Sequence, residues 1–357
     1  MSIGIVRKAT VLALALGLVA AGCGGDDDSD AAGAGTTAAD SPPSGSLRLG
    51  YFPNVTHAPA IIGVEDGLFA DALGDASLET FTFNSGTEAS EAILSDSIDA
   101  TFIGPNPAIN AFAQSGGEVT LVAGTTSGGA ALVVSPDISS PEDLAGTTLA
   151  TPSLGNTQDV ALRAWLADQG YDVDETGGGD VKITPQENAD TLTAFQAGDI
   201  QGAWVPEPWA TRLVEEGGGK VLVNEKDLWT DTDGQFVTTH LLVRTDYLEE
   251  HPANVRALIS GLLDAIDEAN DDASTAQATT NDGIEKITTK RLADNIIAGA
   301  WQNLEFTPDP VAASLQRSAD DAVAVGLLDE VDLDGIYDLS ILNELLAERG
   351  EPEVDGL

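Results

Sequence analysis

The sequence predicts an α/β protein built from two similar lobes. Three observations predict it. A run of strand, loop, helix, strand, turn, helix, strand and loop occurs twice, about a hundred residues apart. The third strand of each run ends in Pro-x-Pro, as Ile98-DATFI-GPNP and as Ile200-QGAWV-PEP. Beyond the first 45 residues about 310 remain, 42% of the whole chain is hydrophobic, and a length like that supports one large domain or two lobes.

Met1 opens a short basic start with Arg7 and Lys8, followed by VLALALGLVAA over residues 11–21. That apolar run is about half as long as a membrane span requires, so it reads as the core of an export signal. Ala20, Ala21 and Gly22 then precede Cys23, the single cysteine of the chain. The stretch resembles a bacterial lipobox, which implies a signal over 1–22, lipidation of Cys23 and an anchor on the extracytoplasmic face of a cell membrane. Residues 24–45 contain no aromatic, leucine or isoleucine; they bury too little to fold and read, with Cys23, as a charged tether over 23–45.

The first repeat gives strands at Leu47–Phe52, Leu78–Phe83 and Asp99–Ile103, and helices near Ala58–Asp66 and Thr87–Leu94. The joining stretches are a loop at Pro53–His57, a turn at Asn84–Gly86 and the loop GPNP. In the second repeat, TTLATPSLGNTQDVALRAWL reads as strand, loop and helix, and VKITPQENADTLTAFQAGDIQGAWVPEPW continues the order. Two such units imply two parallel-sheet lobes. Beyond them, Val255, Leu258, Ile259, Leu262, Leu263 and Ile266 form a helical stripe facing a core. His251 precedes Pro252 at that helix start, a structural position.

Ligands of open parallel sheets sit beyond the carboxyl ends of the strands. Here those ends are PNVTH, NSG, GPNP, PSLGNTQ, QENAD and PEPW, which would line one interlobe cleft. Ser85 or Thr87 can cap one helix and Asn156 or Thr157 another. Their free N–H groups suit an oxyanion, although every α/β protein has such caps. Pro105-Asn106-Pro107 and Pro206-Glu207-Pro208-Trp209 read as stiff loops. Trp209 can lie against a ligand. Glu207 can accept from an ammonium or hydroxyl, or pair with a basic side chain of its lobe. Trp204 reads as core. Ser127–Gly129 falls near the passage between lobes, Thr239 and His240 near the return. For His57 and His240, ligand contact and a structural hydrogen bond both stay open.

Composition narrows the functions. Fifteen basic against 59 acidic residues give −44, or −46 once the signal and its two cations are gone. Such a chain repels nucleic acid and anionic lipid; a saline habitat and plain solubility explain the acidity equally. One cysteine and three histidines argue against a metal site. There is no P-loop, no G-x-S-x-G and no G-x-G-x-x-G opening a helix, which agrees with binding rather than catalysis.

GYFPNVTHAPAIIGVEDGLF, IDATFIGPNPAINAF, SPEDLAGTTLATPSLGNTQDVALRAWL, VPEPWA and VRTDYLEEHPANVRALI together resemble the substrate-binding lipoproteins of ABC importers, of the aliphatic sulfonate, nitrate and taurine type. These share their fold with thiamine-precursor-binding proteins. The resemblance covers about 46–330. It implies a type II periplasmic-binding-protein fold with a two-crossing hinge, lobe I at 46–133 and 238–357 and lobe II at 134–237. It implies a monomer that needs no cofactor and works with a permease and an ATPase. The ligand residues it implies are Asn54, Thr56 and His57; Ser85 and Gly86; Pro105 and Asn106; Ser127 and Gly128; Gly155, Asn156, Thr157 and Gln158; Glu207 and Trp209; and Thr239 and His240. A small anion would be held by amides and hydroxyls. A sulfonate comes first, Glu207 would suit taurine's ammonium, and nitrate, bicarbonate or a pyrimidine precursor stays open. Pyrimidine-synthase relatives use this fold as an enzyme, with a cysteine-rich motif and a pyridoxal phosphate lysine. This chain lacks those cysteines and offers no obvious lysine. A surface sensor would need a partner patch that the sequence does not display.

Overall fold

The computed structural model describes residues 42–357, so the signal and Cys23 lie outside the described residues. The expected tether ran to residue 45. Its last residues are held: Ser44 and the Asn254 side-chain amide exchange two hydrogen bonds of 2.9 Å.

The first repeat folds as β1 (Ser46–Tyr51), α1 (Ala58–Glu65), α2 (Leu68–Leu73), β2 (Ser77–Thr82), α3 (Gly86–Leu94), β3 (Ala100–Ile103), α4 (Pro105–Ser115) and β4 (Val119–Gly128). The second folds as β5 (Ala130–Val134), β6 (Thr148–Thr151), α5 (Thr157–Asp168), β7 (Lys182–Pro185), α6 (Asn188–Ala197), β8 (Gly202–Pro206), α7 (Trp209–Glu215) and β9 (Lys220–Asn224). The chain then returns through β10 (Val237–Arg244), α8 (Thr245–Glu250), α9 (Pro252–Asp271), α10 (Ala273–Thr288), α11 (Asp294–Trp301), β11 (Leu304–Phe306), α12 (Ala312–Ala324) and α13 (Ser340–Arg349).

Two sheets result, ordered β11-β4-β10-β3-β1-β2 and β7-β6-β8-β5-β9. The repeat therefore extends to topology. In lobe I, β1 pairs in parallel with β2 and β3, and β10 runs antiparallel beside β3. In lobe II, β6 pairs in parallel with β7 and β8, and β5 runs antiparallel beside β8. Each lobe is completed by an antiparallel strand that arrives straight from a crossing.

Both faces of each sheet are covered, so neighbouring strand residues serve different cores. Leu241 and Val243 of β10 join one cluster and Leu242 the opposite one. In lobe II, Leu132 and Val134 face one cluster, Ala131 and Val133 the other. The α9 stripe is buried as its spacing predicts, and Trp204 is fully buried.

Two expectations need correction. The first crossing falls at Gly129 rather than after residue 133, because Ala130–Val134 pairs along its whole length with β8 in lobe II. Gly129 has φ +77°, and a Cβ there would stand 2.1 Å from Leu304 Cδ2, so the hinge demands glycine. The stretch GPNP is also no loop. Gly104 caps α4, and Pro105 and Pro107 sit in its first turn, where a missing N–H costs nothing. Likewise Pro206 ends β8 and Trp209 begins α7.

Candidate functional site

The carboxyl ends of all six parallel strands converge between the lobes. β1 delivers Phe52, Asn54, Thr56 and His57; β2 delivers Asn84, Ser85 and Gly86; β3 leads to Gly104 and Pro107. From lobe II, β6 delivers Pro152, Asn156, Thr157 and Gln158, β7 Asn188, and β8 Pro206; Thr238 of β10 completes the wall. The space enclosed is small, about 40 Å³ for the centres of water-sized atoms. One water needs roughly 10–15 Å³ on that scale. The lobes are closed on each other. Trp209 Nε1 donates to Asn54 Oδ1 across the cleft at 3.2 Å. Gly104 approaches Thr157 so closely that a Cβ on it would lie 2.6 Å from the threonine Oγ1.

Two helix starts face this space from opposite lobes. Ser85 caps α3, its hydroxyl accepting from Glu88 N at 3.4 Å. Asn156 caps α5, its Oδ1 accepting from Asp159 N at 3.0 Å. The first-turn N–H groups of both helices have no intrahelical partner and carry positive potential. Gly86 opens α3 against Pro107, whose ring leaves no room for a side chain; a Cβ would meet it at 2.4 Å.

The α5 start is fixed from beneath by a buried ion pair. Arg163 Nε donates to Asp159 Oδ2 at 2.9 Å, with both side chains at most 1% exposed. Asp159 also accepts from Gly155 N at 3.0 Å and from Thr151 Oγ1 at 2.7 Å. The nearest cation of this loop is thereby spent on a carboxylate. His57 is the only titratable side chain among the described residues lining the cavity. Burial pushes it down to about 3, and its Nδ1 has no partner, so it is neutral at pH 7. The site is thus a neutral wall of hydroxyls, amides and helix ends.

His240 is likewise buried and pushed down to about 3. Both histidines have a native value below the unfolded one near 6.5. The stability this gives is fully present above pH 6.5 and is lost as pH falls from there toward 3. Each histidine should cost about 1.4 kcal/mol per pH unit inside that window. The melting temperature should therefore drop below pH 6.5, and H57N/H240N should flatten the drop.

Of the residues expected to touch ligand, Asn54, Thr56, His57, Ser85, Gly86, Asn156, Thr157 and Gln158 come together at the cavity. The others serve it from outside. Trp209 latches Asn54, with Arg212 over its ring at 4.5 Å. Thr239 Oγ1 and Thr126 Oγ1 both donate to the Thr56 carbonyl, at 3.0 and 2.8 Å, and so fix that loop. Gly155 is held by Asp159. Pro105 opens α4, and Asn106 donates to the Ser318 carbonyl. Ser127 Oγ accepts from Phe236 N and the Gly128 carbonyl accepts from Thr238 Oγ1, both at the crossing. His240 stands by Tyr337, 3.4 Å from its hydroxyl. Glu207 meets no basic side chain. It accepts from Thr211 N at 3.0 Å, Thr211 Oγ1 at 2.9 Å and Asn303 Nδ2 at 2.6 Å, beside the hinge. Burial pushes its carboxyl up.

Asn84, Gly104 and Asn188 lie in the expected cleft loops NSG, GPNP and QENAD without being singled out there, and Thr238 lies outside all six loops. Thr238 is the strand neighbour of Thr239, and neighbours on a strand face opposite ways. Choosing between them takes the strand register.

Two lobes of matching strand order, joined by two crossings and closed on a small polar cavity, define the periplasmic-binding-protein fold. The chain belongs to the NMT1-like family, whose model matches residues 40–281. It is 33% identical to the taurine-binding periplasmic protein of Escherichia coli (strain K12) over 211 residues, which is 58% of this chain. That match takes in 62% of the relative, less than two thirds of its length. It is 23% identical to a putative aliphatic sulfonates-binding protein of Bacillus subtilis (strain 168), over 96% of this chain and 98% of that one. The fold is similar to that of the alkanesulfonate-binding protein SsuA from Xanthomonas axonopodis pv. citri bound to MOPS. The TM-score is 0.66 at 20% identity, over 81% of this chain and 96% of the other. No helix among the described residues is long and apolar enough to cross a membrane.

Proposed function

We propose that this protein is the extracytoplasmic solute-binding subunit of an ABC importer. In this reading Cys23 tethers it to the membrane, and it works as a monomer. It closes on a small oxyanion and offers the closed form to a permease driven by an ATPase. One observation carries the reading: capped helix starts from both lobes, α3 and α5, meet across a small cavity lined only by neutral groups. Such a site suits an anion with several acceptor oxygens held by N–H and O–H donors, without a counter-charge. A sulfonate is the first candidate. The relatives named for taurine and aliphatic sulfonates support it. The size of the cavity favours, as a second reading, a bare trigonal anion such as nitrate or bicarbonate, and disfavours a pyrimidine precursor.

The test is calorimetry and thermal shift with short alkanesulfonates, taurine, nitrate, bicarbonate and sulfate. A ligand of micromolar affinity, about −8 kcal/mol, should raise the melting temperature visibly at saturation. Silence from every anion, with the protein folded, would end the oxyanion reading.

A further inference from the structure

Two side chains of the cavity wall each keep a buried polar atom that the protein itself leaves unanswered, His57 Nδ1 and Asn188 Oδ1, and only the second belongs to an amide. Asn188 stands at the first position of α6, in the lobe II wall, and is nine-tenths buried. Its Oδ1 has no hydrogen-bond partner. Buried amides are ordinarily satisfied, so an orphan beside a cavity points to something that enters it. An amide offers both an acceptor and a donor, as a hydroxyl does.

The charges of the wall sharpen the point. None of the described residues lining the cavity is Asp, Glu, Lys or Arg. Three carboxylates adjoin wall residues in sequence. Glu187, beside Asn188, is exposed and outside the lining. Glu207, beside Pro206, is occupied by Thr211 and Asn303. Asp159 is occupied by Arg163. An ammonium brought into this space would lose its water and find no carboxylate. A hydroxyl brought to Asn188 would find a partner.

We infer that Asn188 is a specificity determinant, and that the site takes small oxyanions whose remaining polar group is a neutral hydroxyl while rejecting those bearing an ammonium. The inference rests on the anion-binding reading above and names the substrate class within it. It sets this chain apart from the E. coli relative named for taurine.

The experiment is calorimetry of the purified protein with 2-hydroxyethanesulfonate, ethanesulfonate and taurine, three molecules that share a sulfonate and differ at the other end. Wild type should bind the hydroxyl compound at least tenfold more tightly than taurine. N188D supplies the missing carboxylate at a helix start, where an acid is tolerated. It should move the preference toward taurine by at least tenfold against the other two. N188A should weaken the hydroxyl compound about tenfold and leave ethanesulfonate within twofold. Taurine binding as tightly as the hydroxyl compound in wild type would overturn the inference while keeping the anion reading. Equal loss of all three ligands in N188D or N188A would also overturn it, because Asn188 would then hold the sulfonate itself. If folded wild type bound none of the three and no other oxyanion, the anion reading would fall and take the inference with it.

Discussion

Gly104→Ala should weaken ligand binding by about tenfold to a hundredfold while leaving the ligand-free melting temperature almost unchanged. Gly104 has φ −73° and ψ 162°, which alanine adopts freely, so the backbone of lobe I tolerates the change. The new Cβ meets lobe II instead, 2.6 Å from Thr157 Oγ1. Overpacking of that kind costs about 1–3 kcal/mol, and here the cost falls on the closed state alone. Each 1.4 kcal/mol is about tenfold in affinity. Calorimetry on G104A, and on G104A/T157A in which the obstructing hydroxyl is gone, checks the argument. The double variant should recover much of the lost affinity relative to T157A. No recovery would mean that closure is not what Gly104 permits.

Asp159→Ala should produce the largest loss of stability. It leaves the Arg163 guanidinium buried without its carboxylate, at a cost of about 3–5 kcal/mol. On a chain of this size that lowers the melting temperature by roughly 5–10 °C. Affinity should fall as well, since Gly155 N and Thr151 Oγ1 lose the group that holds them and the α5 start is no longer preorganised. Replacing both partners, as D159L/R163M, should return most of the stability, because an apolar pair leaves no charge stranded. It should not return the affinity, because leucine cannot hold the Gly155 N–H. Thermal denaturation beside calorimetry separates the two roles. Recovery of both together would show that the pair supports the lobe and does not position the loop.

Local order was legible where periodicity and caps were strong. The α9 stripe and the repeated strand ends follow from side-chain spacing alone, and all six loops named at the strand ends reach the cavity. What stayed hidden depended on partners distant in sequence. Glu207 looks like a ligand residue between its prolines until Asn303, 96 residues away, is seen to claim it. GPNP looks like a stiff loop because proline is read as a breaker, although a first helical turn accommodates it. The hinge at Gly129 becomes visible only once Ala130–Val134 is registered against β8. Asn188 falls in QENAD, a loop that the sequence places at the cleft, but nothing marks it within that loop: an asparagine near a helix start is ordinarily a cap, and this one is not.

The anion donors are shared between the lobes, with the α3 start on one and the α5 start on the other. The site is therefore a coincidence detector. A molecule that satisfies only one lobe gains the same free energy open or closed, and so cannot shift the balance between them however tightly it binds. Such a molecule would occupy the protein without producing the shape that a permease reads. Among chemically similar anions, the cargo is then the one that spans both halves, and the one-sided binders act as silent competitors.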